Sequence, residues 1–423
     1  MKKLSIFLEI NNAAYPVGTI EGNDSGDAVF SYTKDYLDTK GLLPLSISLP
    51  LQEEPFSPEI TKNYFEGLLP EGFSRRAVAN AIKSNENDYL TILEHLGREC
   101  LGAVWIDAPD TEMKSGYKKL SLKDVLALAA EGATKSAEVL LKTHLSLTGA
   151  TGKAGLYYDE KNKNWYLPLG KCASTHIVKQ SHVRFSRIVP NEQLCMMTAK
   201  KLGLNVPDSF IVNLGNAEDG EILLATRRYD RILPVDSKEK LPQAIRLHQE
   251  DFAQALCICA SDKYETEKRG YLKKSFELIR SYSSNPVDDQ LMLWNYIIFH
   301  FLIGNTDGHI KNFSLLYNQN HTGIRLAPAY DILCTGIYNS SPNMSLYYGQ
   351  EVALKQIRRE SFWEAAGEAG LGMKTAMHRF DHMADSFENA LRSSADELAS
   401  CGIPKTKDLC RRILSASGYR NII

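Results

Sequence analysis

Gly304-Asn305-Thr306-Asp307-Gly308-His309-Ile310-Lys311-Asn312-Phe313-Ser314-Leu315-Leu316 is the stretch on which the reading of this chain turns. It follows the longest apolar run, Leu291 to Ile303, and passes directly into a second apolar segment. That pattern predicts a long helix, a short polar loop and a buried strand. Within the loop Asp307 and Asn312 stand five positions apart, the interval between Asp and Asn in the kinase catalytic loop. The interval has a chemical reason. An Asp there takes the proton of an acceptor hydroxyl, while an Asn holds a magnesium ion on the other side of the transferred phosphoryl group. Lys311 between them can screen negative charge on that group. The same residues also read as an Asn/Asp/Gly turn, a common joint between helix and strand.

Working outward, Leu326-Ala327-Pro328-Ala329-Tyr330-Asp331-Ile332-Leu333 puts Asp331 one hairpin downstream, where kinases carry a metal-binding Asp. Ile332 and Leu333 follow it in place of Phe-Gly, and a turn or a helix N-cap would also suit it. Upstream, the run from Ser146 through Thr148, Gly149, Ala150, Thr151, Gly152 and Lys153 to Gly155 is a glycine-rich hairpin whose N–H groups can approach phosphates. It is no Walker A loop, because no Gly-Lys-Ser/Thr closes it; a plain β-turn fits it as well. Thr175-His176-Ile177-Val178-Lys179 reads as a strand ending in a lysine able to pair with nucleotide phosphates, with Glu192 in the next helix to hold it. Taken alone, such a lysine also reads as solvated. His176, His248 and His309 lack partners at metal-ligand spacing and read as structural. No Gly-x-Ser-x-Gly elbow is present.

The chain has 423 residues, 49 Lys plus Arg and 51 Asp plus Glu, for a net charge of -2. Its length predicts two or three domains. A balance so close to neutral does not favour direct nucleic-acid binding, which draws on a basic excess. The eight cysteines are scattered without a CxxC pair, and Cys257-Ile258-Cys259 is too tight for a zinc knuckle. The opening Met1 to Ile10 reads as a first strand, not a signal peptide. The Leu291 to Ile303 run falls short of the ~20 residues that cross a bilayer. A soluble, reduced, cytoplasmic protein is expected.

Short strands are predicted at Leu4 to Ile10, Tyr15 to Ile20 and Ala28 to Tyr32, followed by an extended segment through Leu42 to Pro50. Glu71-Gly72 reads as a turn before helices at Arg75 to Lys83 and Asp88 to Leu96, and Cys100 to Ile106 as a strand. Ala108 to Lys119 is polar, with Pro109 and Gly116, and reads as a linker. A helix over Asn191 to Leu202 lies among strands up to Arg231. Beyond Asp251 the chain is mainly helical, with candidates at Phe252 to Cys259, Leu272 to Tyr282, Val287 to Ile303, Phe380 to Ala399 and Lys407 to Ser415. The expected organisation is an N-terminal α+β subdomain over 1–110, a β-rich nucleotide-binding lobe over 120–231 and an α-helical lobe over 232–423.

In this order the segments resemble the HipA family of bacterial toxin serine/threonine kinases. Pro44-Leu45-Ser46-Ile47-Ser48-Leu49-Pro50-Leu51 and Phe65-Glu66-Gly67-Leu68-Leu69-Pro70-Glu71-Gly72 look like its N-terminal module, and Ser174 to Lys179 like its ATP-lysine strand. Arg228-Tyr229-Asp230-Arg231 and Leu247-His248-Gln249-Glu250-Asp251 are similar to its hinge and the segment beyond. Thr306 to Ser314 and Pro328-Ala329-Tyr330-Asp331-Ile332 resemble its catalytic loop and metal-Asp segment. The glycine-rich loop departs: Gly149-Ala150-Thr151-Gly152-Lys153 stands where the family often has Gly-Ala-Gln-Glu-Lys.

The resemblance implies an α+β, bilobal fold of the protein-kinase and lipid-kinase kind, with an added N-terminal α+β subdomain. It implies ATP and Mg²⁺, with Asp307 as base, Asn312 and Asp331 as metal ligands and Lys179 on the ATP phosphates. The backbone of Arg227 and Tyr229 would meet adenine, and Asp230 the ribose side. It further implies autophosphorylation at Ser146, with Thr148 as competing acceptor. The partners would be a helix-turn-helix antitoxin, through which alone DNA is reached, and a protein substrate such as an aminoacyl-tRNA synthetase. Two rivals stay open on sequence: a small-molecule or lipid phosphotransferase, and an antitoxin-binding corepressor with weak catalysis. The lack of a basic amphipathic segment counts against a membrane partner.

Overall fold

The structure, a computed structural model, describes residues 1–107, 115–125, 127, 153–180, 185–234, 237, 239–338 and 340–422. It is a mixed fold of helices and antiparallel sheets. The first strand, Lys2–Ile10, alternates strictly and buries Leu4, Ile6, Leu8 and Ile10 on one face. It pairs with Ala13–Gly22 and Val104–Asp107 in a four-stranded antiparallel sheet whose outer strands are Val29–Tyr32 and Val104–Asp107. Helices Pro58–Phe65, Gly72–Ala81 and Tyr89–Leu96 add Tyr64, Phe65, Val78, Leu90 and Leu93 to a core of this module's own. Between Leu42 and Pro50 the expected extended segment makes only the Ser46–Leu49 bridge.

A six-stranded antiparallel sheet follows, in the order Gly116–Lys119, Asn164–Leu169, Lys153–Asp159, His176–Gln180, Ile222–Arg227, Ser209–Asn213. Its edge strand corrects the reading of 108–119 as linker throughout. Gly116 to Lys119 pair with Leu169 to Tyr166, and backbone pairing needs no apolar pattern. Behind the sheet, helix Ile188–Lys201 sends Val189, Leu194 and Cys195 into the core of the helical lobe.

That lobe is built around Pro286–Ile303, whose second half is buried on every side, as its largely apolar sequence demands. Against it pack Tyr271–Tyr282 and the 28-residue helix Met373–Ser400. The latter begins well before the expected Phe380. The hairpin Asn343–Tyr348 with Glu351–Ala353 and the helix Arg359–Glu368 went unread in the sequence. The helix expected over Phe252 to Cys259 stops at Ala255, because Cys257 turns into the left-handed region at φ 55°. Among the described residues no helix is long and apolar enough to cross a membrane.

Candidate active site

The long helix ends at Gly304, in the left-handed region at φ 73°, where a Cβ would lie 2.9 Å from the Cα of Ser417. Glycine therefore both caps the helix and permits the close approach. The loop that follows is pinned from several sides. Asn305 Nδ2 lies 2.9 Å from His300 Nδ1, and the Thr306 N–H donates to Thr335 Oγ1 at 2.7 Å. The Asp307 N–H donates to Asn305 Oδ1 at 3.1 Å. Asn312 closes the loop, its Nδ2 donating to the Asp307 carbonyl at 2.9 Å. This bond engages the nitrogen of the carboxamide and fixes the direction of its oxygen. The strand Ser314–Tyr317 then pairs with Gln249–Asp251 and Ile324–Leu326, and that hairpin delivers Asp331. Asp331 itself sits in the left-handed region at φ 58°, a strained setting for a residue with a Cβ.

Asp331 meets Lys179 across the cleft. The Lys179 ammonium donates to Asp331 Oδ1 and to Glu192 Oε1, the latter at 2.5 Å. Lys179 comes from strand His176–Gln180 and Glu192 from helix Ile188–Lys201, so three elements converge on one cation. Burial opposes every charge here, and the neighbours decide the outcome. For Lys179 burial alone would favour the neutral amine, but Asp331 and Glu192 hold the ammonium protonated above its ordinary range. For Asp331 burial would raise the pKa, yet Lys179 and Lys153 hold the carboxyl well below it. Asp307 has no lysine bonded to it, and burial raises its pKa against the lowering effects of the Tyr264 hydroxyl and the more distant Lys263.

The cleft is partly open to solvent. Lys153, Lys179, Arg227, Tyr229, Asp230, Lys311, Asn312 and Asp331 all line it, and so does Glu71 of the N-terminal module. Asp307 stands beside it, joined through Asn312. Two residues are already engaged by protein groups. Lys311 donates to Asp251 Oδ2 at 2.6 Å and to the Gly67 carbonyl at 3.2 Å, which ties the loop to the N-terminal module. Asp230 accepts from Arg228 Nε at 2.9 Å, Arg228 Nη2 at 2.7 Å and the Gly102 N–H at 2.7 Å, leaving its carboxylate little to offer a ribose. Ser146, Thr148, Gly149, Ala150, Thr151 and Gly152 lie outside the described residues. Sequence reasoning missed two residues at the site, Glu71 and Tyr264; the Tyr264 hydroxyl donates to Asp307 Oδ1 at 2.5 Å.

His176 contacts Thr175 Oγ1 at 2.9 Å and His248 Nε2 contacts the Leu45 carbonyl at 2.7 Å, whereas His309 lines the cleft and its buried Nδ1, like that of His248, has no hydrogen-bond partner among the described residues. A phosphorylated nucleotide with a hard divalent cation fits the donor set, because Asp331 and Asn312 present carboxylate and carboxamide oxygens and Lys179 a fixed positive charge.

Comparison with known proteins agrees over nearly the whole length. Residues 8–107 match the HipA N-terminal domain and residues 145–391 the HipA-like C-terminal domain. A Sinorhizobium fredii protein named "Putative kinase Y4mE" is 33% identical over 386 residues, covering 89% of this chain and 88% of that protein. The serine/threonine-protein kinase toxin HipA of Shewanella oneidensis is 25% identical over 352 residues, 79% of this chain and 76% of that one. The solved complex of HipA, HipB and operator DNA from Shewanella oneidensis MR-1 superposes with a TM-score of 0.77 at 20% identity, over 99% of each chain, which shows a shared fold.

Proposed function

The chain belongs to the HipA family of kinases, and on that premise we propose that it transfers the γ-phosphoryl group of ATP to a serine or threonine hydroxyl of a protein. The observation that carries the reading is the pairing of Asp307 and Asn312 in one pinned loop, opposite a Lys179–Glu192–Asp331 ion cluster. Lys179 neutralises nucleotide phosphate and keeps it against the sheet. Asp331 and Asn312 would hold Mg²⁺, which when bound neutralises charge on the transferring group. Asp307 orients the acceptor hydroxyl and takes its proton; its raised pKa reflects a carboxylate that burial has left basic. The Arg227–Tyr229 backbone edges the cleft where a base would lie. Asp230, saturated by Arg228 and Gly102, holds that segment in place.

In the same reading the protein is the toxin of a cytoplasmic toxin–antitoxin pair. It autophosphorylates at Ser146, phosphorylates a translation protein such as an aminoacyl-tRNA synthetase, and is neutralised by a small helix-turn-helix antitoxin that supplies the DNA contact. The Shewanella complex of HipA with HipB and operator DNA supports that partnership. Incubating the full chain with γ-labelled ATP, Mg²⁺ and a cell lysate tests the function. Label should reach the chain itself and a protein target, and Asp307→Gln should cut transfer about a thousandfold while leaving ATP affinity near wild type. Unimpaired transfer by Asp307→Gln would refute the assignment.

A further inference from the structure

Asp307 is held by a residue far away in the chain. Its Oδ1 accepts from the Tyr264 hydroxyl at 2.5 Å, and among the described residues this is the hydrogen bond its carboxylate accepts. Tyr264 is fixed on both flanks. On one side Glu265, 3% exposed, takes the backbone N–H groups of Arg269 at 2.7 Å, Tyr271 at 3.0 Å and Tyr347 at 3.1 Å. On the other, Lys263 pairs with Glu71 of the N-terminal module at 2.5 Å. The Tyr264 ring, 41% exposed, stands edge-on to His309 with centroids 5.1 Å apart, which supports it on its buried side.

We propose that Tyr264 is a positioning residue for phosphoryl transfer: its hydroxyl holds one oxygen of Asp307 so that the other meets the acceptor, and the N-terminal module sets it through the Glu71–Lys263 ion pair. The proposal deepens the kinase reading and rests on Asp307 being the base.

The chemistry of the donor matters. A phenol fixes the carboxylate without neutralising it, whereas an ammonium in the same place would form an ion pair and weaken the base. Burial, then the charge of Asp307, pushes the phenol's own pKa up, so it stays a donor. The charged groups facing this pair are Lys263, Glu71 and Asp331, with His309 and Lys311 beside Glu71. Lys263 is the cation in reach of Asp307, and Glu71 engages it. Glu71 Oε1 is buried without a hydrogen-bond partner and lies 3.8 Å from Lys311, itself bonded to the Gly67 carbonyl. One short segment of the N-terminal module, Gly67 to Glu71, thus touches both the catalytic loop and the segment that fixes its Asp.

The test uses the full chain, labelled ATP with Mg²⁺, and single-turnover transfer to protein, with a fluorescent ATP analogue reporting nucleotide affinity. Tyr264→Phe, which keeps the ring, should slow transfer about tenfold with analogue affinity within about twofold of wild type. Glu71→Gln should slow it about threefold. Because Glu71 acts through Tyr264, the double variant should match Tyr264→Phe alone and not reach about thirtyfold. A wild-type rate for Tyr264→Phe would overturn the positioning role, and a multiplicative double variant would overturn the relay from the N-terminal module. Wild-type transfer by Asp307→Asn would instead remove the base on which the proposal stands.

Discussion

Two buried charge clusters flank the cleft, and they are built to opposite ends. The first joins Glu99, Arg228, Asp230 and Arg231, with side chains no more than 3% exposed. Glu99 accepts from the Ser174 N–H at 2.8 Å and its hydroxyl at 2.9 Å, and Asp230 from Arg228 and the Gly102 N–H. Two acids face two guanidiniums, backbone N–H groups and the Ser174 hydroxyl fill the carboxylates, Arg231 Nε is left without a partner among the described residues, and the N-terminal module is thereby joined to the sheet. The second joins Lys179, Glu192 and Asp331. There one ammonium is shared by two carboxylates, and the Asp331 side chain is 29% exposed to the cleft. Guanidiniums fix planar, saturated pairings, whereas a lysine is a point charge that can be shared with an incoming phosphate. Saturated carboxylates mark the structural cluster and spare capacity the functional one.

The comparison breaks most visibly at Arg228. Arg228→Met leaves Glu99 and Asp230 buried with one cation between them, and should cost about 3–5 kcal/mol of stability in denaturant unfolding. A loss below about 1 kcal/mol would show that the cluster is not the joint described here.

Glu250 sharpens the contrast with a smaller effect, because it is a buried acid with neutral donors alone. Ser46 Oγ at 2.5 Å, the Ile47 N–H at 3.2 Å and the Tyr317 hydroxyl at 2.5 Å donate to it. Burial pushes its pKa up to about 7 from an ordinary 4.5. The folded chain then holds a proton that the unfolded chain releases. This group's stabilising contribution is complete below the unfolded pKa and falls as pH rises toward 7, by roughly 3 kcal/mol. Glu250→Gln should melt close to wild type at pH 5 and above it at pH 8. A difference that does not change with pH would contradict the assignment.

What the sequence made legible follows from distance along the chain. Asp307 and Asn312 share one loop, and Asp331 follows one hairpin later, so local spacing carried them. The Lys179–Glu192 pair was within reach because a strand and the next helix supply it. Tyr264 and Glu71 were not, since their contacts join segments 43 and 192 positions apart. Glu71-Gly72 looked like a turn, and only the fold brings Glu71 to the cleft. Local sequence does not separate the partly open carboxylate of Asp331 from the saturated one of Asp230, because one donor to the latter, the Gly102 N–H, lies 128 positions away. The strand Gly116–Lys119 was hidden for a related reason: it has no alternating apolar face and is held by its pairing with Asn164–Leu169.

The central claim is that the Lys179–Glu192–Asp331 cluster is open to a nucleotide and its cation, and calorimetric titration of the full chain with ATP, with Mg²⁺ and then with EDTA, tests it most directly. Wild type should bind at least about tenfold more tightly with Mg²⁺, and Asp331→Asn should lose that difference while keeping its fold. Equal affinity with and without Mg²⁺ in the wild-type chain, or an undiminished Mg²⁺ effect in Asp331→Asn, would contradict the account.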